Sequence, residues 1–265
     1  MRLNFVLISI KYFFKKPTLA WAFLFSTMFG FPIQAQTVVP TNPVQTNNGF
    51  YESEWKPFSN RLLDDNSLKI FVAAVLSTAA THQIDEFSRA EWKDHQHLNE
   101  KQADIGDILG TGIPAVLVLG GQYFYDRPNA KTHLRAFVWG NVFTYGLKTV
   151  ANRKRPGDSR SYQSFPSGHT STTFATATAL TYSYGWKAAV ITYPLAIYTG
   201  ASRMADDRHW LSDVVAGAYL GFLIGRASYF AMDYSSEVAG INKSSSHWWP
   251  DFYSNGAGIQ MYYSF

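Results

Sequence analysis

The chain has 265 residues, of which 46% are hydrophobic, 17% aromatic and only 16% charged, a balance that excludes an intrinsically disordered chain and allows one or two domains with a sizeable core. Soluble domains average about 25% charged residues, so the deficit points to a membrane contact or an unusually helical interior. The net charge of +4 is too small and too dispersed to signal nucleic acid, and the absence of cysteine excludes disulfide scaffolds, thiolate metal sites and cysteine nucleophiles.

Residues 1–35 read as an export signal, with Arg2, Lys11, Lys15 and Lys16 ahead of the apolar run 19–25 and Ala35 as a cleavage point. An uncleaved anchor helix is the alternative, because Ile33 is larger than the residue usually found two positions before such a cut. Both readings send the chain into the export pathway, to the periplasm or the outer face of the inner membrane. Residues 36–49 have no charge, two prolines and no periodicity, which is the composition of a tether, and a flexible linker is expected over 36–60.

Six apolar stretches rich in Ala, Leu, Val, Thr and Gly follow, near 67–84, 105–124, 133–151, 169–184, 186–201 and 209–231. They show little of the alternation that marks a sheet, so the expected fold is mainly α, a six-helix bundle over 61–232. The tail, 233–265, is aromatic and glycine-containing and reads as irregular with a short strand-like end. Its adjacent Trp248 and Trp249 suit either a membrane interface or packing against the bundle.

Crossing a bilayer takes about 20 mainly apolar residues, and most of the charge-free runs (70–84, 108–125, 136–147, 188–202 and 214–225) are shorter. Six strict crossings after an exported N-terminus would also place the end of the third helix in the cytoplasm. Either some helices do not cross, or the bundle is a soluble or surface-seated body in the exported compartment.

Three blocks carry the chemistry. In the first, Lys148 precedes Arg155 and Pro156. Proline disfavours the α conformation at the residue before it, so Lys148 is placed on a helix and Arg155 on an extended exit, two cations able to approach one anion from different directions. Taken alone, Arg153, Lys154 and Arg155 also read as a solvated basic loop. In the second block, Pro166, Ser167, Gly168 and His169 precede a helix-compatible run, so free backbone N–H groups and the positive end of the helix dipole meet there as an anion site. Gly168 lets the backbone approach closely, Ser167 serves as an anion donor or as a plain helix cap, and His169 stands by as a proton donor. In the third, Ser202 and Arg203 are followed by His209 and Asp213. A four-residue spacing lets Asp213 accept a hydrogen bond from one ring nitrogen of His209 and expose the other as a base or nucleophile, and Arg203 adds a third cation.

Together the blocks describe an oxyanion held by cations and helix amides beside two histidines. At every fixed position they match K-x6-RP, PSGH and SR-x5-H-x3-D, so the chain resembles the type 2 phosphatidic acid phosphatase (PAP2) superfamily. The resemblance implies that His209 is a nucleophile forming a phosphohistidine, that Asp213 orients it and that His169 protonates the leaving oxygen. It implies that Lys148, Arg155, Ser167, Gly168 and Arg203 bind the phosphoryl oxygens, with three cations in place of a metal and no cofactor. The sequence is also similar to vanadium haloperoxidases, but these usually have a longer gap between Lys and Arg. A scaffold with an inactive pocket is disfavoured because no catalytic position is missing. The expected partner is a phosphorylated lipid (a phospholipid, an isoprenyl diphosphate or a lipid A type molecule) or, for a soluble exported acid phosphatase, a small phosphomonoester. Membrane association is expected and nucleic acid is not, and the oligomeric state stays open.

Other groups are left aside. His95 and His97 with Asp94 read as a solvated connector rather than a metal site. Asp206 and Asp207 stay unassigned, His82 and His133 have no convergent partners in the sequence, and His247 suits a surface tail. The Ser and Thr residues of 170–183 read as helix-packing residues.

Overall fold

The structure, a computed structural model, describes residues 49–157, 159–238, 247–253 and 256–262. The export signal expected over 1–35 lies outside them. A π-helical turn (Tyr51–Trp55) leads into α1 (Lys56–Leu62), followed by α2 (Asp65–His82), α3 (Asp85–His95), α4 (Glu100–Gly110), α5 (Ile113–Tyr125), α6 (Arg127–Ala151), α7 (Gly168–Tyr184), α8 (Trp186–Ala205) and α9 (Leu211–Val238). The mainly α class is met, but nine α-helices stand among the described residues where six were expected. The stretch 105–124 is two helices, bent by 44° where Gly112 takes φ +88°. Helices α1 and α3 contain no apolar run, so the apolar pattern of the sequence does not mark them. Of the linker expected over 36–60, residues 36–48 lie outside the described residues, while residues 51–60 are helical, with Phe58 fully buried against Ile224 and Ala227. In the tail, the backbone of β1 (His247–Tyr253) and β2 (Gly256–Tyr262) forms an antiparallel pair with His247 opposite Tyr262.

Local signals explain the helix boundaries. The Asp64 carboxylate caps α2 by accepting from the Ser67 N–H at 2.8 Å, and Asn99 and Gln102 close a reciprocal capping box on α4. Proline stands in the first turn of both α5 and α6, where its missing N–H is not needed.

Helix α7 lies between α6, α8 and α9. Its Thr and Ser residues are packing residues as expected: Thr170, Ser171 and Thr178 are fully buried, with Ser171 hydrogen-bonded to Thr144 at 2.7 Å and Thr178 to Tyr193 at 3.0 Å. The face of α9 that receives α7 carries Gly217, Gly221 and Gly225, four residues apart. A Cβ at these positions would stand 2.6, 2.4 and 2.8 Å from the carbonyl oxygens of Ser167, Ser171 and Ala175, also four apart. Small residues at this spacing let two helix backbones touch. Around the contact, Phe174, Tyr193, Val214, Val215, Tyr219 and Phe222 form the main apolar core.

Outward faces are apolar as well. Phe71, Val75 and Leu76 on α2, Val116 and Leu117 on α5, Val138 and Val142 on α6, and Val190 and Ile191 on α8 are all exposed. Among the described residues one helix segment, Leu211–Ala231, is long and apolar enough to cross a membrane, and 78% of its most apolar window is buried inside the bundle; α4 and α5 together pass the same test as a bent pair.

Replacing Gly221 by Ala should lower stability by about 1–3 kcal/mol, because the new methyl meets backbone atoms that cannot yield. Gly146→Ala, on α6 with no atom within 4 Å of a new Cβ, should be neutral or stabilising by up to about 1 kcal/mol. Thermal unfolding of the two variants checks the contrast.

Candidate active site

Helix α6 stops at Ala151 because Asn152 turns into the left-handed region (φ 39°) and returns its N–H to the Lys148 carbonyl at 3.1 Å. Lys148 is therefore in the last helical turn and Arg155 on the exit, as the sequence predicts. The loop is pinned by the Arg155 N–H to Ser161 O at 3.0 Å and the Ser164 N–H to Arg153 O at 2.9 Å. Ser167 then begins α7 in an extended conformation, its own N–H donating to Asp213 O at 2.9 Å. The plain-cap reading of Ser167 fails: its hydroxyl accepts from the Thr170 hydroxyl at 2.9 Å, and no side chain caps the first turn. Arg203 closes α8. His209 lies in the loop two residues before α9 rather than on the helix, and Asp213 is in the first turn of α9.

His209 and Asp213 are both buried, and Nδ1 of the imidazole faces Asp213 Oδ2 at 3.6 Å, longer than a made hydrogen bond. The carboxylate is fixed by other donors. Oδ2 accepts from the Ser164 hydroxyl at 2.5 Å and the Trp210 N–H at 2.9 Å, and Oδ1 from Arg153 Nη1 at 2.6 Å. Arg153 is fixed in turn by the Ser212 hydroxyl and Asp85 Oδ2, both at 2.7 Å, and by the Trp210 ring 5.6 Å beneath it. Asp85 also accepts from the Ser212 N–H at 2.9 Å. Burial pushes the His209 imidazole down to about 4, with Asp213 opposing and Lys148 and Arg155 adding to the fall. The ring is consequently neutral near pH 7. Burial would raise the Asp213 carboxyl, but His209, the Arg153 charge and the Ser164 hydroxyl outweigh it and hold it below the usual range.

The cations surround this pair. Lys148 is buried and donates to the Gln163 carbonyl at 2.7 Å. Its amine is lowered to about 8 by burial and by Arg155, against the pull of Asp213. A Cβ on Gly168 would sit 3.7 Å from Lys148 Cε, which places the start of α7 beside the lysine. Arg155 Nε is buried and meets no acceptor among the described residues, leaving a donor for an anion. Arg203 is buried, with Nη1 on Asp107 Oδ1 and Nη2 on Asp206 Oδ2 at 2.6 Å. His169 Nε2 lies 3.0 Å from the same Asp107 oxygen. Burial lowers this imidazole, Arg203, Arg155 and Lys148 add to the fall, and Asp107 opposes it.

The eight residues singled out in the sequence thus come to one place. Sequence reasoning missed Asp85, Asp107, Arg153 and Ser164. Taken alone in the sequence, Arg153 reads as part of a solvated loop, and only the fold shows what it touches; the other three belong to no motif. His82 gains partners in Asp85 and Arg153, at 2.9 and 3.1 Å. Asp206 pairs with Arg203, and Asp207 is clamped by Arg89 through contacts of 2.6 and 2.8 Å. Buried His133 is satisfied by Gln122 at 2.7 Å and Thr176 at 3.2 Å. Among the described residues, one group offers ligand atoms for an ion: Glu91, His95 and His97 at the C-terminal end of α3, with their ligand atoms within 4.8 Å of one another. The His95 Nδ1 there also lies 3.2 Å from the Glu91 carbonyl.

Comparison with known proteins agrees with this geometry. Over 132 residues the chain is 44% identical to a lipid A 1-phosphatase of Porphyromonas gingivalis, covering 49% of this chain and 24% of that protein. Over 73 residues it is 36% identical to a lipid A 4'-phosphatase of Helicobacter pylori, covering 28% of this chain and 36% of that protein. The chain therefore spans well under half the length of these two relatives. Its fold is similar to the crystal structure of the first transmembrane PAP2 type phosphatidylglycerolphosphate phosphatase from Bacillus subtilis, with a TM-score of 0.50, 21% identity and coverage of 63% of this chain and 94% of that one. The PAP2 superfamily profile matches residues 120–237, a segment that contains all eight site residues, and this part of the chain is a PAP2 superfamily domain.

Proposed function

We propose that this protein is a metal-independent phosphatase that removes a terminal phosphate from a phosphorylated lipid, of the lipid A type, through a phosphohistidine on His209. The observation that carries the reading is the neutral, buried His209 with Nδ1 turned to a carboxylate that three other donors immobilise. The ring is oriented and its Nε2 lone pair is free to attack phosphorus. As the Nε2–P bond forms, the bond from phosphorus to the leaving oxygen breaks and His169 gives that oxygen its proton. Water then attacks the phosphohistidine, His169 takes the proton back, the P–N bond breaks and phosphate leaves. Lys148, Arg155, Arg203 and the uncapped N–H groups at Gly168 balance the charge that collects on the equatorial oxygens, which is the main demand of phosphoryl transfer.

The lipid substrate is favoured by the two lipid A phosphatases among the relatives and by the apolar outer faces of α2, α5, α6 and α8, which suit association with a membrane. The export signal expected over 1–35 puts the site on the periplasmic side of that membrane. No observation favours a haloperoxidase or an inactive scaffold.

Three results are expected. Activity should persist in excess chelator, and complete loss that only a divalent metal reverses would overturn the metal-free assignment. His209→Ala should lower turnover by at least about 10³-fold and abolish acid-labile labelling of the protein by substrate phosphate; labelling that survives refutes the nucleophile. Inhibition by inorganic phosphate should weaken as pH rises through about 8, because Lys148 is charged below that value and neutral above it. Lys148→Arg, which stays charged, should remove that pH dependence, and a pH-invariant inhibition constant in the unaltered protein would sink the role given to Lys148.

A further inference from the structure

Helix α4 carries no part of the recognised motifs, yet it is pressed into the site. A Cβ on Gly106 would lie 2.3 Å from the Ser202 side chain, and one on Gly110 would lie 2.5 Å from His169 Cβ and Cδ2. Only glycine at both positions allows this approach. The helix is also tethered, by its capping box at Asn99 and by the Tyr198 hydroxyl, which donates to the Gln102 carbonyl at 2.6 Å. Between the two glycines stands Asp107, and its Oδ1 meets both His169 Nε2, at 3.0 Å, and Arg203 Nη1.

Resting on the phosphatase reading, we propose that Asp107 is the positioning residue of the general acid, holding His169 by Nε2 so that Nδ1 carries the proton to the leaving oxygen. Each histidine then has a carboxylate behind it, His209 the buried Asp213 and His169 the half-exposed Asp107, whose side chain is 45% open to solvent. The difference suits the two tasks. A nucleophile must remain neutral, whereas an acid must regain its proton between turnovers and needs a path to water. The charged groups acting on His169 are Arg203 on α8, Lys148 on α6, Arg155 on the loop and Asp107 on α4. Asp206 is paired to the far side of Arg203. Burial and the three cations all disfavour imidazolium, and Asp107 is the carboxylate that opposes them.

The test uses the full chain and Asp107→Asn, which keeps the shape and removes the charge. Two substrates are compared by kcat/KM, which reports only the steps through departure of the leaving group: p-nitrophenyl phosphate, whose leaving group needs no proton, and an alkyl phosphate, whose leaving group does. The variant should lose at least about tenfold more on the alkyl ester than on the aryl ester, within the roughly 10²- to 10⁴-fold range of general acid catalysis. For the alkyl ester, the fall in kcat/KM with rising pH should move to lower pH, because the acid form of His169 is lost earlier without the carboxylate. Asp107→Glu should recover part of the difference. Equal losses on both esters, with the pH limb unmoved, would assign Asp107 to Arg203 or to the fold and overturn the proposal; so would no loss on either. An unaltered protein inert on every phosphomonoester would instead overturn the phosphatase reading on which the proposal rests.

Discussion

Gly217, Gly221 and Gly225 on α9 receive the carbonyls of Ser167, Ser171 and Ala175 on α7 at distances that no side chain would permit, and the site is assembled by that contact. The same register that seats the three carbonyls sets the first residue of the approach, Ser167, against Asp213, where the Ser167 N–H meets the Asp213 carbonyl at 2.9 Å. The start of α7, with its uncapped amides and His169, is thereby placed beside the start of α9, with Asp213 and the preceding His209. A methyl group between the helices would move two of the three motif blocks apart, and a shift of about 1 Å is enough to weaken catalysis a hundredfold.

The remaining block, with Lys148 and Arg155, is drawn in by charge rather than by packing. A buried carboxylate is costly unless donors surround it, and Asp213 has the Ser164 hydroxyl, the Trp210 N–H and the Arg153 guanidinium. Those donors come from the loop after α6 and from the approach to α9. Satisfying one carboxylate therefore folds the loop that presents Arg155 and holds the backbone next to His209. Arg153 transmits the constraint further, to Asp85 at the start of α3, so a helix without any motif residue is tied to the Asp213 carboxylate.

Burial and charge then set two imidazoles of the same intrinsic chemistry in different surroundings. Both are lowered by burial, His209 to about 4. His209 is enclosed beside the buried Asp213, while His169 is left partly open to water beside the half-exposed Asp107. The outer faces of the bundle obey another demand, since exposed Leu, Val, Ile and Phe on four helices have no intramolecular reason to be there.

The local pattern was legible in the sequence. Helical character followed from the absence of alternation, and the eight candidate residues from three short blocks whose spacing depends only on neighbours along the chain; Pro156 places Arg155 off the helix, but α6 already ends at Ala151, where Asn152 turns left-handed. Six helices were read where nine stand, because a count of apolar runs passes over a polar helix such as α3 and cannot see the break at Gly112, where positive φ bends a continuous apolar stretch into α4 and α5. Placing His209 on the helix failed for a similar reason: a spacing of four fits a helix, but it also fits a loop residue whose Asp partner lies in the first turn. Asp107, Arg153, Asp85 and Ser164 were decided by tertiary structure alone. Each acts through a partner at least 49 residues away, and which carboxylate reaches which cation is set by how closely helices approach, a distance that glycine at 106, 110, 217, 221 and 225 permits but that no local pattern encodes.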